Sequence, residues 1–248
     1  GIFALLLFVI VLITNLTSSL QPVDWDLQRI GFGVSTRADA MFWAKQLNAS
    51  WYLDWKTIPQ SVKSFPEHWQ MIRLSSQGYL PSREEIIGLL INYPGQVWII
   101  GNEPDNIWQD NLPPESYASY YHDLYFLIKR YDPTAQVAVG AVSQPTPLRM
   151  EYLDSVIREY RKQFHHQLPC DWWTLHAYIL REETNSWGAG IPPELGPANS
   201  TLYEIDQHDD LSIFAANIIQ FRAWMAENEF QGIPLAVTEF GILLPEEF

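Results

Sequence analysis

Val97-Trp98-Ile99-Ile100-Gly101-Asn102-Glu103-Pro104 is the stretch on which the fold turns. It opens with consecutive apolar residues and no polar alternation, the pattern of a strand buried on both faces of a parallel sheet. Downstream, Pro113-Pro114-Glu115 begins a segment whose apolar residues fall at Tyr117, Tyr120, Tyr121, Leu124, Leu127, Ile128 and Tyr131. Those spacings of three and four describe one face of a helix. Asp132-Pro133 stops that helix, and Gln136 to Val142 supplies another strand.

The same alternation extends in both directions. Toward the N-terminus the expected strands are Ile30 to Val34, Ser50 to Trp55 and Trp69 to Leu74, with helices from Asp39 to Leu47 and from Pro81 to Ile91. Ser82 and Glu85 have the spacing of a capping box for the second of these. Toward the C-terminus come a helix from Met150 to Phe164, a strand from Asp171 to Tyr178, and a polar loop from Glu182 to Asp210. A helix from Leu211 to Glu227 and a strand from Pro234 to Thr238 complete the series. Strand–helix alternation implies parallel strands joined by helical crossovers. Gly31-Phe32-Gly33 has no third glycine at the required position and no basic partner, so the phosphate-loop fingerprint of a doubly wound sheet fails. The expected fold is therefore a (β/α)8 TIM barrel over residues 25–248, without internal repeat or second-domain linker. Seven strands are counted, and the eighth is expected beyond Phe248, making the barrel C-terminally truncated. The connection between the second and third strands is short for a full helix.

Composition narrows the partners. In 248 residues, 47% hydrophobic and 18% charged content fits a folded chain. A net charge of −14 argues against nucleic acid, which requires clustered Lys and Arg. The 11 Trp and 12 Tyr serve a core, and they slightly favour a carbohydrate ligand, whose apolar ring faces rest on aromatic planes. Cys170 is the only cysteine and reads as a small buried residue. Ile2 to Ile13 is an unbroken apolar run followed by a polar stretch, so residues 1–20 read as a signal peptide, with an N-terminal membrane anchor as the alternative. Either implies a secreted or extracytoplasmic protein. Asn15, Asn48 and Asn199 head sequons.

In βα barrels the active site lies at the C-terminal ends of the strands. Glu103 follows the fourth strand and Glu239, in Thr238-Glu239-Phe240-Gly241, follows the seventh. These positions are nearly opposite in an eight-strand ring, so their side chains can converge. Glycosidic cleavage needs two such carboxyls, one protonated to release the leaving oxygen and one ionised to attack the anomeric carbon. Partial burial and the neighbouring like charge are expected to raise one pKa and separate the roles. Either glutamate alone would more often be a solvated loop residue; their joint placement favours the functional reading.

Asn102-Glu103-Pro104 and Glu239-Phe240-Gly241 resemble the paired signatures of clan A glycoside hydrolases. The resemblance covers Ile30 to Gly241. It implies retaining hydrolysis of O-glycosidic bonds in β-linked glycans or glycosides, with Glu103 as acid/base, Glu239 as nucleophile and Asn102 binding a 2-hydroxyl. His176-Ala177-Tyr178 resembles the residues that orient the nucleophile or line the sugar site. An arginine near the nucleophile is common in that clan, and Arg73 is a candidate for it or for a surface ion pair. Trp108 and Trp187 are candidates for sugar platforms or for packing. His165-His166 follow a helix end and suit its dipole. No metal-ligand spacing and no nucleophile elbow is present, so neither metal nor cofactor is expected, and the expected partner is a β-linked oligo- or polysaccharide. A non-catalytic carbohydrate-binding barrel and a transglycosylase using the same residues are the alternatives.

Overall fold

The computed structural model describes residues 29–34, 39–60 and 65–244. The N-terminal apolar segment and the Asn15 sequon lie outside these residues. Among the described residues, no helix is long and apolar enough to cross a membrane.

The strands are β1 (Gly31–Gly33), β2 (Trp51–Leu53), β3 (Glu67–His68), β4 (Gln70–Ser75), β5 (Gly78–Leu80), β6 (Val97–Ile100), β7 (Gln136–Val139), β8 (Trp172–His176) and β9 (Leu235–Glu239). The helices are α1 (Ala40–Leu47), α2 (Arg83–Asn92), α3 (Pro114–Tyr131), α4 (Pro147–Phe164) and α5 (Leu211–Glu227). Parallel pairing runs β1–β2–β3 and β4–β6–β7–β8–β9. Trp69 alone separates β3 from β4, and its N–H bonds the Tyr52 carbonyl at 2.9 Å. Residues 67–75 thus act as one stave, which pairs with β2 at its start and with β6 further on. That stave begins two residues before the expected strand and is interrupted at Trp69. It then turns back through β5, an antiparallel hairpin strand that the parallel pattern does not anticipate. β1 and β9 approach within 8 Å between Cα atoms, but they are not hydrogen-bonded neighbours among the described residues.

Side-chain alternation divides the core into two. Leu53, Trp69, Met71, Val97, Ile99, Ala138 and Ala236 fill the barrel interior. Their strand neighbours Ile72, Leu74, Trp98, Ile100, Val137, Val139, Trp173 and Leu175 face outward into the helical layer. A period of two on strands buried on both faces requires apolar residues at every position, as Val97 to Ile100 provides. The outer layer is closed by Tyr117, Tyr121, Leu124 and Ile128 of α3, Tyr152, Val156 and Tyr160 of α4, and Phe221 and Trp224 of α5.

Local signals set the helix ends. Ser82 and Glu85 form the expected capping box, and the Asp210 carboxylate accepts from Ser212 and Ile213 N–H at the start of α5. α4 starts at Pro147, ahead of the expected Met150, because proline at the first helical turn needs no N–H partner. Between Glu182 and Asp210 only two short 3-10 turns form, so the expected loop is present. Cys170 is partly buried, and burial pushes its thiol up to about 12.

Candidate active site

Every barrel strand delivers its last residue to one end of the fold. β6 is followed by Gly101, whose φ of 87° requires glycine, and Glu103 comes next but one with a left-handed φ of 45°. A non-glycine residue held there stores roughly 1 kcal/mol or more of strain and persists only where its surroundings fix it. Here the Glu103 N–H bonds the Ala141 carbonyl at 2.9 Å, and the Asn102 N–H bonds Asp110 at 2.7 Å. Gly140, across from this turn, leaves no room for a side chain: a Cβ there would lie 2.5 Å from the Ile100 carbonyl oxygen.

Glu103 and Glu239 converge on His176. His176 Nδ1 lies 2.7 Å from Glu103 Oε1, and His176 Nε2 lies 3.3 Å from Glu239 Oε1. The latter two residues are register partners on β8 and β9: Leu175 pairs with Val237 and His176 with Glu239, so Thr238 is the extra residue of β9 and Glu239 is brought opposite His176. One ligating atom from each of the three residues lies within 4.8 Å of the others. Glu239 is also held by donors from the segments that follow β2 and β8. The Trp55 indole Nε1 donates to its Oε1 at 2.5 Å, and the Tyr178 hydroxyl donates to its Oε2 at 3.0 Å. On the other side, Asn106 Nδ2 donates to Glu103 Oε2 at 2.7 Å. Side-chain exposure is 7% for Glu103 and 15% for Glu239, so both carboxyls sit below the surface and remain reachable.

One of the two carboxyls is expected to be raised, and Glu103 is not the raised one. Burial pushes it up, but the hydrogen bond and charge of His176, helped by Asn106 and Arg149, outweigh burial and hold it below the ordinary range. Burial, and then the Glu239 charge, keep the Tyr178 phenol well above its ordinary value, so it remains a donor.

The other expected residues are distributed unevenly. Asn102 is 3% exposed, and its Oδ1 is buried without a hydrogen-bond partner within the protein. Arg73 contacts Asp110 Oδ1 at 2.7 Å and Gln109 at 2.9 Å, bracing the Asn102 turn through Asp110. Its described contacts are therefore to that turn, while Glu239 receives Trp55 and Tyr178. Trp108 stands 71% exposed beside the same turn. Trp187 packs on the His208 ring, with centroids 5.0 Å apart. His165 caps α4 in a left-handed conformation, and its N–H bonds the Arg161 carbonyl.

Trp55, Asn106 and Asp110 were not anticipated. Asn106 and Asp110 lie within the turn after β6, where polar residues have no periodicity to mark them. Trp55 lies two residues beyond β2, and its partner is 184 residues away. The Glu103–His176–Glu239 group is also the one set of residues, among those described, with spacing suited to a cation. However, the N–H and O–H donors from Asn106, Trp55 and Tyr178 compete for the same carboxylate lone pairs. A cavity of about 1050 Å³ lies elsewhere, lined by residues such as Trp51, Glu67, Trp69 and Trp172 near the N-terminal ends of the strands, and none of the site residues borders it.

No protein-family model and no curated protein matches the chain. Solved structures do. A GH128 (subgroup III) curdlan-specific exo-beta-1,3-glucanase from Blastomyces gilchristii in complex with glucose aligns with a TM-score of 0.53 and 19% identity, over 87% of this chain and 78% of that one. A GH128 (subgroup II) endo-beta-1,3-glucanase from Sorangium cellulosum aligns with a TM-score of 0.51 and 13% identity, over 83% of this chain and 72% of that one. The subgroup II enzyme from Pseudomonas viridiflava aligns with a TM-score of 0.48 and 16% identity, and this chain spans 61% of its length. The first two likenesses show that the chain has the barrel fold of these enzymes.

Proposed function

We propose that the chain is a retaining glycoside hydrolase acting on β-linked glucan, with Glu239 as nucleophile and Glu103 as acid/base. The observation that carries this reading is the convergence of the two carboxyls, with one oxygen of each within 4.8 Å of the other, around His176. Retaining enzymes hold the pair about 5–5.5 Å apart, whereas inverting enzymes leave roughly 6.5–9.5 Å for a water. The short approach here favours direct attack.

In this mechanism Glu239 attacks the anomeric carbon while Glu103 gives its proton to the departing glycosidic oxygen. Glu103 then takes a proton from the water that releases the sugar. The donors from Trp55 and Tyr178 fix Glu239 for attack. His176 sets the protonation of Glu103 through the 2.7 Å contact. The unpartnered Asn102 Oδ1 suits a sugar 2-hydroxyl, and the exposed Trp108 suits a sugar face. Because both structural neighbours with the higher TM-scores are beta-1,3-glucanases, β-1,3-glucan is the first substrate to assay.

The test pairs Glu239→Ala and Glu103→Ala with added azide on laminari-oligosaccharides and their aryl glycosides. Both variants should lose activity. Azide should then yield the inverted glycosyl azide with Glu239→Ala and the retained one with Glu103→Ala. A wild-type chain inert on β-glucans and aryl β-glycosides, or azide products with the stereochemistry exchanged, would overturn the assignment.

A further inference from the structure

Arg149, near the start of α4, is fully buried and uses its guanidinium completely. Its Nη1 donates to the Asp105 carbonyl at 2.7 Å and to Asp105 Oδ2 at 2.6 Å, and its Nε donates to Glu182 Oε1 at 3.1 Å. Its Nη2 donates to the carbonyls of Ala189 at 2.9 Å and Gly190 at 2.7 Å. An arginine has five N–H donors in a rigid fork, and here each has an acceptor. The acceptors belong to two separate segments. Asp105 lies two residues beyond Glu103, and Glu182, Ala189 and Gly190 belong to the loop after β8. That loop is folded tightly on itself: Gly188 has a φ of 102°, and a Cβ there would lie 2.3 Å from the Arg181 carbonyl oxygen.

A continuous chain of contacts leads from Arg149 to the carboxyl of Glu103. Asp105 Oδ2 accepts from Ser143 Oγ at 3.2 Å, Ser143 Oγ accepts from Asn106 Nδ2 at 3.3 Å, and the same Asn106 nitrogen donates to Glu103 Oε2 at 2.7 Å. Asp105, Ser143 and Arg149 are all buried with essentially no exposure, so water offers these groups no substitute partners.

We infer that Arg149 is a positioning residue for the acid/base: by binding Asp105 and the 182–190 segment together, it fixes the Glu103 turn against the loop that follows β8. This rests on the hydrolase reading of Glu103. Misplacing a catalytic group by about 1 Å can cost on the order of 100-fold in rate, and the loss falls on the step that group serves.

The experiment compares phenyl and 2,4-dinitrophenyl β-laminaribioside. The dinitrophenolate leaves without help from an acid, whereas phenolate needs a proton. Arg149→Lys keeps the charge but has too few donors for these acceptors, and Asp105→Asn keeps the shape but weakens the contact. Expected for both variants is a loss in kcat/KM of about 100-fold on the phenyl substrate and less than about threefold on the dinitrophenyl one, a pattern shared with Glu103→Ala. Equal losses on the two substrates, or no loss, overturn the inference. If Arg149→Lys is insoluble, the leaving-group dependence of Asp105→Asn decides. A wild-type chain inactive on both substrates removes the hydrolase reading itself. By contrast, an active wild type with the leaving-group signature in Glu103→Ala alone removes only the role of Arg149.

Discussion

Tyr117→Phe tests the reasoning about what holds the turn that carries Glu103. The Tyr117 hydroxyl donates to the Ile100 carbonyl at 2.9 Å and accepts from the Gly140 N–H at 2.8 Å, pinning the ends of β6 and β7 together. The side chain is fully buried. Phenylalanine fills the same space, so the change opens no appreciable cavity and isolates the polar effect. A buried group left without its partner costs about 1–3 kcal/mol. Two such groups, with partial relaxation, give a destabilisation of about 3 kcal/mol. For a chain of this size each kcal/mol lowers Tm by roughly 2–4 °C, so Tm should fall by about 6–12 °C. In urea the midpoint should fall while the slope stays unchanged, because the surface exposed on unfolding is the same. A loss below about 1 kcal/mol would refute the argument, since each stranded group alone should cost at least that.

Two further outcomes follow from the site. In His176→Phe, the two largest interactions that oppose burial at Glu103 are removed, so its carboxyl should rise. The alkaline limb of kcat/KM, which reports the protonated acid in the free enzyme, should then move to higher pH; a limb that stays put or moves the other way contradicts the assignment. Stability should follow the same sign. The lowered carboxyl of the wild type contributes stability above the ordinary value of 4.5 that is lost as pH falls through its folded value, and this acid-side slope should disappear in the variant. Trp55→Phe removes the 2.5 Å indole donor to Glu239. A hydrogen bond to a charged group contributes about 1.5–3 kcal/mol, so kcat/KM should fall by roughly 10- to 100-fold. A fall of less than about threefold, in a variant with unchanged circular dichroism, would show that Trp55 does not position the nucleophile.

The sequence by itself determined what depends on neighbours within a turn or two. Val97 to Ile100 reads as a doubly buried strand because both of its faces need apolar residues. The face of α3 and the Ser82–Glu85 cap are legible for the same local reason, since helical spacing and capping are short-range patterns. Strand alternation also located Glu103 and Glu239, because βα barrels gather the ends of their strands at one mouth. Tertiary structure decided the rest. His176 meets both glutamates only because the register of β8 and β9, with Thr238 as an extra residue in β9, sets Glu239 beside it while Glu103 reaches it from the turn after β6. Trp55 reaches Glu239 across the barrel, and Arg149 joins Asp105 to a loop about 40 residues further along the chain. No periodicity marks these residues, because their chemistry comes from partners distant in sequence. The downward direction at Glu103, where burial alone points upward, has the same origin: it depends on whether a histidine 73 residues away stands beside it.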